Sequence, residues 1–262
     1  MNLDLFADLP GALRQAGLSA TVLPSLTDGA APDVAQGYRL QQLALQLRLR
    51  EGEVLRGWKV AFGAATAQAR FGLNEPVYGV LTSTMQVEQG SSVSLAGLIQ
   101  PKLEIELAFL LGSEIVPGDY TDEQLISAIA EVAPAFEIAD CRWQGWRFGA
   151  GAFLADNAAA ALYCLGPRQA FDSKRHALVD YWLEHEGELC GAGHSDGRID
   201  TPLVNLVWLL RRLLADGQPL SAGQVILSGA LLAPLDIKPG EYRLQMVGME
   251  LALRFESMSK PD

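Results

Sequence analysis

Residues 101–110 read Pro-Lys-Leu-Glu-Ile-Glu-Leu-Ala-Phe-Leu, a strand-like apolar run with two carboxylates two positions apart. Side chains at i and i+2 of a strand share a face, so Glu104 and Glu106 stand side by side, roughly 6 to 7 Å apart, while Leu103, Ile105, Leu107 and Phe109 point the other way. Two environments are open to such a strand. One wet face of an antiparallel sheet gives this alternation with no ligand at all. If the face is enclosed, desolvation and mutual repulsion both penalise the ionised carboxylates, and a divalent cation removes the conflict. Residues 133–140, Ala-Pro-Ala-Phe-Glu-Ile-Ala-Asp, hold a third isolated acid, Glu137, in another short strand-like segment. Together the three glutamates form an all-oxygen donor set suited to a hard cation, Mg2+ or Mn2+, with positions left for water and a chelating substrate.

With 262 residues, 49% of them hydrophobic and 19% charged, the chain can bury a sizeable core and is not of the disordered class. A formal net charge of −11 repels phosphate backbones and anionic membrane surfaces, so neither nucleic acid nor membrane is an expected partner. The Arg211-Arg212 pair is too small a basic patch to reverse this. Apolar stretches such as 158–165 and 203–210 fall far short of the ~20 residues that cross a bilayer. Cys141, Cys164 and Cys190 show no Cys-x-x-Cys pair and no histidine at zinc spacing, which argues for reduced thiols rather than structural zinc. The first residues lack a basic segment and a long apolar core, and the expected setting is cytoplasmic.

Residues 34–51 carry Tyr38, Leu40, Leu43, Leu45 and Leu47 among Gln and Arg, predicting a helix that stops at Gly52. Residues 3–15 predict a helix before it, joined through the small-residue cluster at 29–32. From 54 onward the texture changes to short strands at 54–62, 77–81, 103–111, 135–139 and 225–228. Thr121-Asp122-Glu123-Gln124 is a capping-box start for a helix to about Val132, and Thr201-Pro202 opens another to about Ala215. Residues 180–194 predict a hairpin and 242–255 a closing strand pair about Gly248. The simplest division is an N-terminal helical region, 1–53, and a strand-rich metal-binding body, 54–262, of α+β class.

Lys59 is the one charge in Gly57-Trp58-Lys59-Val60-Ala61, placed either to face an acidic site or to decorate a surface strand. Gly145, Gly149 and Gly151 lack the spacing of a dinucleotide loop. The histidines at 176, 185 and 194 have no nucleophile or acid pattern around them, and Ser228 lacks the first glycine of a nucleophile elbow.

Taken in order, Gly57-Trp58-Lys59-Val60, Glu75-Pro76-Val77-Tyr78-Gly79-Val80-Leu81, the 101–110 strand, residues 134–142, Ala155-Asp156-Asn157-Ala158, Pro202 through Leu210, residues 222–229 and Pro239-Gly240-Glu241 resemble the 2-keto-4-pentenoate hydratase and 4-oxalocrotonate decarboxylase family of the fumarylacetoacetate hydrolase superfamily. The likeness spans roughly residues 38–256. It implies a mixed β-sandwich roll preceded by the small helical region, a metal held by Glu104, Glu106 and Glu137, an active-site lysine at Lys59, and substrate-binding positions at Val77, Asp156 and Asn157. It also implies a small-molecule 2-oxo acid substrate in aromatic or related catabolism and a homo-oligomer.

The chain departs from the hydratase pattern at Val77, where hydratases of the family commonly carry an aspartate and decarboxylases tend to be apolar. A valine does no acid or base work. Ala155 replaces a serine found in many relatives before Asp-Asn. Hydration of a 2-keto-4-pentenoate-type substrate is expected first and decarboxylation of a 4-oxalocrotonate-type substrate second. A carbon–carbon bond hydrolase of the superfamily is disfavoured, because no histidine precedes Glu104, and retention of the three acids and Lys59 argues against an inactive metal-binding homologue.

Overall fold

The computed structural model describes residues 6, 8–26 and 30–257. Two helices open it, α1 (Leu9–Leu18) and α2 (Val34–Arg50). Asp33 and Gln36 close a reciprocal capping box at the start of α2, with bonds of 2.7 and 2.8 Å, and Gly52 follows its end at φ 92°. Of the helix predicted at 3–15, residues 3–5 and 7 lie outside the described residues, as does Gly29 of the joining loop.

A nine-stranded mixed sheet follows. Its members are β1 (Leu55–Ala61), β2 (Val77–Thr82), β3 (Gln86–Val87), β5 (Pro101–Leu111), β6 (Ile129–Asp140), β7 (Ala160–Leu165), β8 (Gln169–Ala170), β11 (Val225–Leu227) and β12 (Leu235–Asp236). The order runs β2-β1-β11-β5-β6-β7-β3, with β12 beside β5 and β8 beside β6. A second sheet takes β4 (Ser92–Ser94), β9 (Asp180–His185), β10 (Glu188–His194), β13 (Gly240–Met246) and β14 (Met249–Glu256) in the order β10-β9-β13-β14-β4. Pro134 fits inside β6 because it falls between the stretches of that strand that pair with β7 and β8.

Alternation along the strands gives the large sheet two different apolar faces. Leu103, Ile105, Leu107, Phe109, Phe136 and Ile138 pack in one cluster with Leu183, Leu244, Leu251 and Leu253 of the small sheet and with Leu206, Leu209, Leu210 and Leu213. Those last four lie on α6 (Pro202–Ala215), whose first turn is capped by Thr201 as its sequence predicts. The opposite face carries smaller residues, among them Ala108, Ala133 and Ala135, gathered with Leu81, Tyr163 and Leu227 from strands on both sides. This face holds the glutamates.

Three shorter helices sit between strands: α3 (Ala65–Arg70), α4 (Asp122–Ser127) and α5 (Ala150–Ala155). The capping box at Thr121 is present, but α4 ends at Ser127 rather than near Val132. Ile129 and Val132 instead bury their β-branched side chains as part of β6, which pairs with β5 along its length. Sequence periodicity also missed α3, α5 and β7.

Candidate metal centre and its cavity

Glu104 and Glu137 are direct cross-strand partners on β5 and β6, and Glu106 follows two residues along the same face. Like charges placed opposite each other destabilise a sheet, yet carboxylate oxygens of all three lie within 4.8 Å of one another. Glu106 and Glu137 are 0% exposed. β1 stands three strands away from β6, roughly 14 Å in a flat sheet at about 4.8 Å per strand. Lys59 Nζ nevertheless reaches to 2.8 Å from Glu137 Oε1, with only 2% of its side chain exposed. The sheet is therefore curled, and its inner face turns Lys59 and the glutamates toward one centre.

Inside that centre the charges do not balance. When all are ionised, three carboxylates against one ammonium leave two negative charges, the complement of a divalent cation. Glu106 Oε2 accepts the backbone N–H of Gly229 at 2.5 Å, a contact made by a residue in the left-handed region at φ 92°. Among the described residues Glu106 Oε1 has no hydrogen-bond partner, and beyond the lysine ion pair neither does either oxygen of Glu137. Buried carboxylate oxygens without donors are costly unless a cation takes them. Burial, and after it the charge of Glu137, raises the Glu104 carboxyl to about 7 and pushes that of Glu106 well above the usual range. Burial works against the Lys59 ammonium too, but the surrounding carboxylates, Glu137 first, outweigh it and hold the amine above its ordinary range. The donor set, its orphaned oxygens and its residual charge all fit a hard divalent ion.

Beside the carboxylates opens a cavity of about 610 Å3. Lys59 and Glu104 line its inner end. Phe62, Phe71, Phe148 and Phe153 form one wall, a closed quartet of rings with neighbouring centroids 4.5 to 5.4 Å apart and planes within 25° of parallel. The side facing them is a loop, 229–234, held by two side chains. Asn205 of α6 donates Nδ2–H to Ser228 O at 2.8 Å, and Arg198 donates to the carbonyls of Ala230 and Leu231 at 3.3 and 3.0 Å.

Over Lys59 lies a strained turn. Asn157, Ala158 and Ala159 all have positive φ, at 54°, 50° and 59°, a conformation that costs non-glycine residues about 1–3 kcal/mol each and persists only where the surroundings enforce it. The Asn157 amide enforces it by bonding Val80 of the β2 edge like an extra strand residue, accepting from its N–H at 2.8 Å and donating to its carbonyl at 2.9 Å. Gly79 is needed beneath, since a Cβ there would stand 2.6 Å from Asn157 O and 3.1 Å from Lys59 Cε.

Lys59, Glu104, Glu106 and Glu137 thus come together, whereas Val77, Asp156 and Asn157 do not line the cavity. Val77 is buried in the apolar cluster with Leu13, Leu40 and Trp143. Asp156 is fully taken up by Arg142, accepting its backbone N–H at 2.9 Å and pairing with its guanidinium, and burial raises its carboxyl to about 6. These two polar side chains serve the scaffold, because their partners are backbone groups and a buried arginine. The phenylalanine quartet, Gly229 and Asn205 escaped the sequence reading. Asn205 had a visible signal, a lone amide on the apolar stripe of α6; the quartet had none, because its rings come from separated segments.

No family model matches the chain. Over 249 residues it is 32% identical to the 2-keto-4-pentenoate hydratase of Burkholderia vietnamiensis, covering 93% of this chain and 94% of that one. It is 30% identical to a 4-oxalocrotonate decarboxylase of a Pseudomonas species, with 87% and 88% covered. In three dimensions it is similar to the 4-oxalocrotonate decarboxylase of Pseudomonas putida G7 complexed with magnesium and adipate, with a TM-score of 0.90, 23% identity and coverage of 98% and 99%. The chain belongs to the 2-keto-4-pentenoate hydratase and 4-oxalocrotonate decarboxylase family, and is an enzyme of the hydratase or decarboxylase kind.

Proposed function

We propose that the protein is a divalent-metal-dependent lyase acting on a short 2-oxo-enoic acid or its 2-hydroxydienoic form, as part of aromatic or related catabolism. The observation that carries this reading is the triangle of Glu104, Glu106 and Glu137, the last two fully buried and Glu104 half-buried at the cavity, which when ionised has two negative charges beyond Lys59 and open oxygens. The three carboxylates would hold Mg2+ or Mn2+, as the magnesium in the Pseudomonas putida relative suggests. When bound, such an ion supplies Lewis-acid stabilisation of negative charge developing on the substrate's 2-oxo oxygen.

The chain's own groups do the rest. Lys59 holds Glu137 in place and presents its ammonium to the same cavity, where it balances charge on the substrate's carboxylate or enolate. The phenylalanine wall fits the flat face of a conjugated acid and keeps that side of the cavity free of competing polar groups. Hydration to a 4-hydroxy-2-oxo acid stands first, after the hydratase relatives. Release of CO2 from a 4-oxalocrotonate-type dicarboxylate is the second reading, after the decarboxylase relative; Val77 does not decide between the two, because its side chain is buried away from the cavity.

The test is turnover of 2-hydroxypenta-2,4-dienoate and of 4-oxalocrotonate, followed by loss of dienol absorbance and by CO2 release, with Mg2+ and with chelator. Metal-dependent turnover of either supports the lyase reading, and the product names the reaction. No turnover of either substrate with any divalent ion would refute it.

A further inference from the structure

Among the buried residues of α6, Asn205 is the single polar one, 4% exposed on a stripe otherwise made of Pro202 and leucines. A buried amide is costly unless it is bonded, and its Nδ2–H donates to Ser228 O at 2.8 Å. On the other edge of that same peptide, Gly229 N–H donates to Glu106 Oε2 at 2.5 Å. A trans peptide is a rigid plane with C=O and N–H pointing opposite ways, so the two bonds belong to one unit. Turning the plane away from Asn205 also turns the N–H away from Glu106. The amide is closely seated, since a Cβ at Gly63 would stand 2.7 Å from Nδ2 and one at Gly229 would stand 3.1 Å from it.

We propose that Asn205 is a positioning residue for the metal ligand Glu106, acting through the Ser228–Gly229 peptide. This rests on the reading of the three glutamates as a metal centre. The terminal torsion of a glutamate is broad and roughly two-fold, so the backbone of β5 does not decide how the carboxylate is turned. Gly229 N–H decides it by claiming Oε2, which leaves Oε1 without a partner among the described residues and free for a cation. The rest of the loop is fixed by other bonds. Leu231 N–H donates to Ile105 O at 2.9 Å, while Arg198 holds the carbonyls of Ala230 and Leu231 at 3.3 and 3.0 Å. Loss of the Asn205 amide therefore frees one peptide plane and not the loop. Because the amide is neutral, its influence on a cation runs through the geometry of Glu106 and not through charge.

The experiment is a double-mutant cycle on Mn2+ affinity, read from the electron paramagnetic resonance signal of the free ion. Asn205→Ala in the wild-type background should raise the dissociation constant about tenfold or more, as removal of a group that orients a metal ligand does. In the Glu106→Gln background, where weaker binding is read at higher Mn2+ concentration, the anionic oxygen that Asn205 positions is already gone, and Asn205→Ala should add less than about twofold. Asn205→Leu refills the volume and should reproduce the Asn205→Ala loss, which assigns it to the amide and not to the cavity left behind. An unchanged constant in Asn205→Ala, wild-type affinity in Asn205→Leu, or the same fold loss in both backgrounds overturns the proposal and leaves the metal centre standing. Wild-type protein that binds no Mn2+ overturns the metal reading and this proposal with it.

Discussion

Two strand pairs in this protein alternate acids with apolar residues, and they meet opposite fates. On β13 and β14, Glu241 faces Arg254 across the ladder, and Arg243 reaches Glu241 and Glu250 at 2.5 and 2.8 Å, with about half of the arginine side chain in solvent. On β5 and β6, Glu104 faces Glu137, Glu106 lies beside them, and one lysine answers three acids, two of them wholly out of solvent. The period-2 pattern is the same. What differs is the sign of the cross-strand partner and the access of water, and only the second pair is left needing a cation from outside.

The largest effect should come from removing one acid of the uncompensated pair. Glu106→Gln keeps the acceptor for the Gly229 N–H but takes away a charge, so Mg2+ affinity should fall at least about 100-fold and turnover with it. In the absence of metal the same variant should be as stable as wild type or more so, because a like-charge repulsion is gone. A metal-free variant clearly less stable than wild type would mean that the carboxylates satisfy one another without an ion. Next comes Lys59→Met, expected to lower kcat by about 10²-fold or more through lost charge stabilisation while the Mg2+-bound protein stays folded. Unchanged kcat and KM would remove Lys59 from the catalytic account. Smallest is Arg243→Ala on the wet pair, which should cost less than about 1 kcal/mol, and less still at high salt. A loss of several kcal/mol there would erase the contrast between the two regions.

Part of the site is legible in the order of residues. Period-2 geometry alone puts Glu104 and Glu106 on one face, and their isolation in an apolar run already raises the question of a counter-ion. Glu137 is joined to them in sequence only by its isolation in a second apolar run and by the family resemblance, because the Glu104–Glu137 register itself depends on how the 112–128 connection returns the chain. Lys59 reaches the acids only through the curl of the sheet, a property of nine strands together. Asp156 and Asn157 illustrate the converse. A polar pair next to a loop looks the same in sequence whether it meets a ligand or ties down backbone, and here the Arg142 guanidinium and the Val80 peptide claim them. The capping box announced the start of α4 correctly, while its end was lost in the apolar run 129–132, which suits helix and strand alike until β5 offers a partner.

Mn2+ binding followed by electron paramagnetic resonance tests the central claim most directly, since free Mn2+ gives a strong signal that binding suppresses. The account predicts one ion per wild-type chain, displaced by Mg2+, and loss of that ion in Glu106→Gln at the same concentrations. Wild-type protein that leaves the free Mn2+ signal untouched, or a Glu106→Gln variant that suppresses it equally well, would contradict the assignment of the three glutamates as a metal centre.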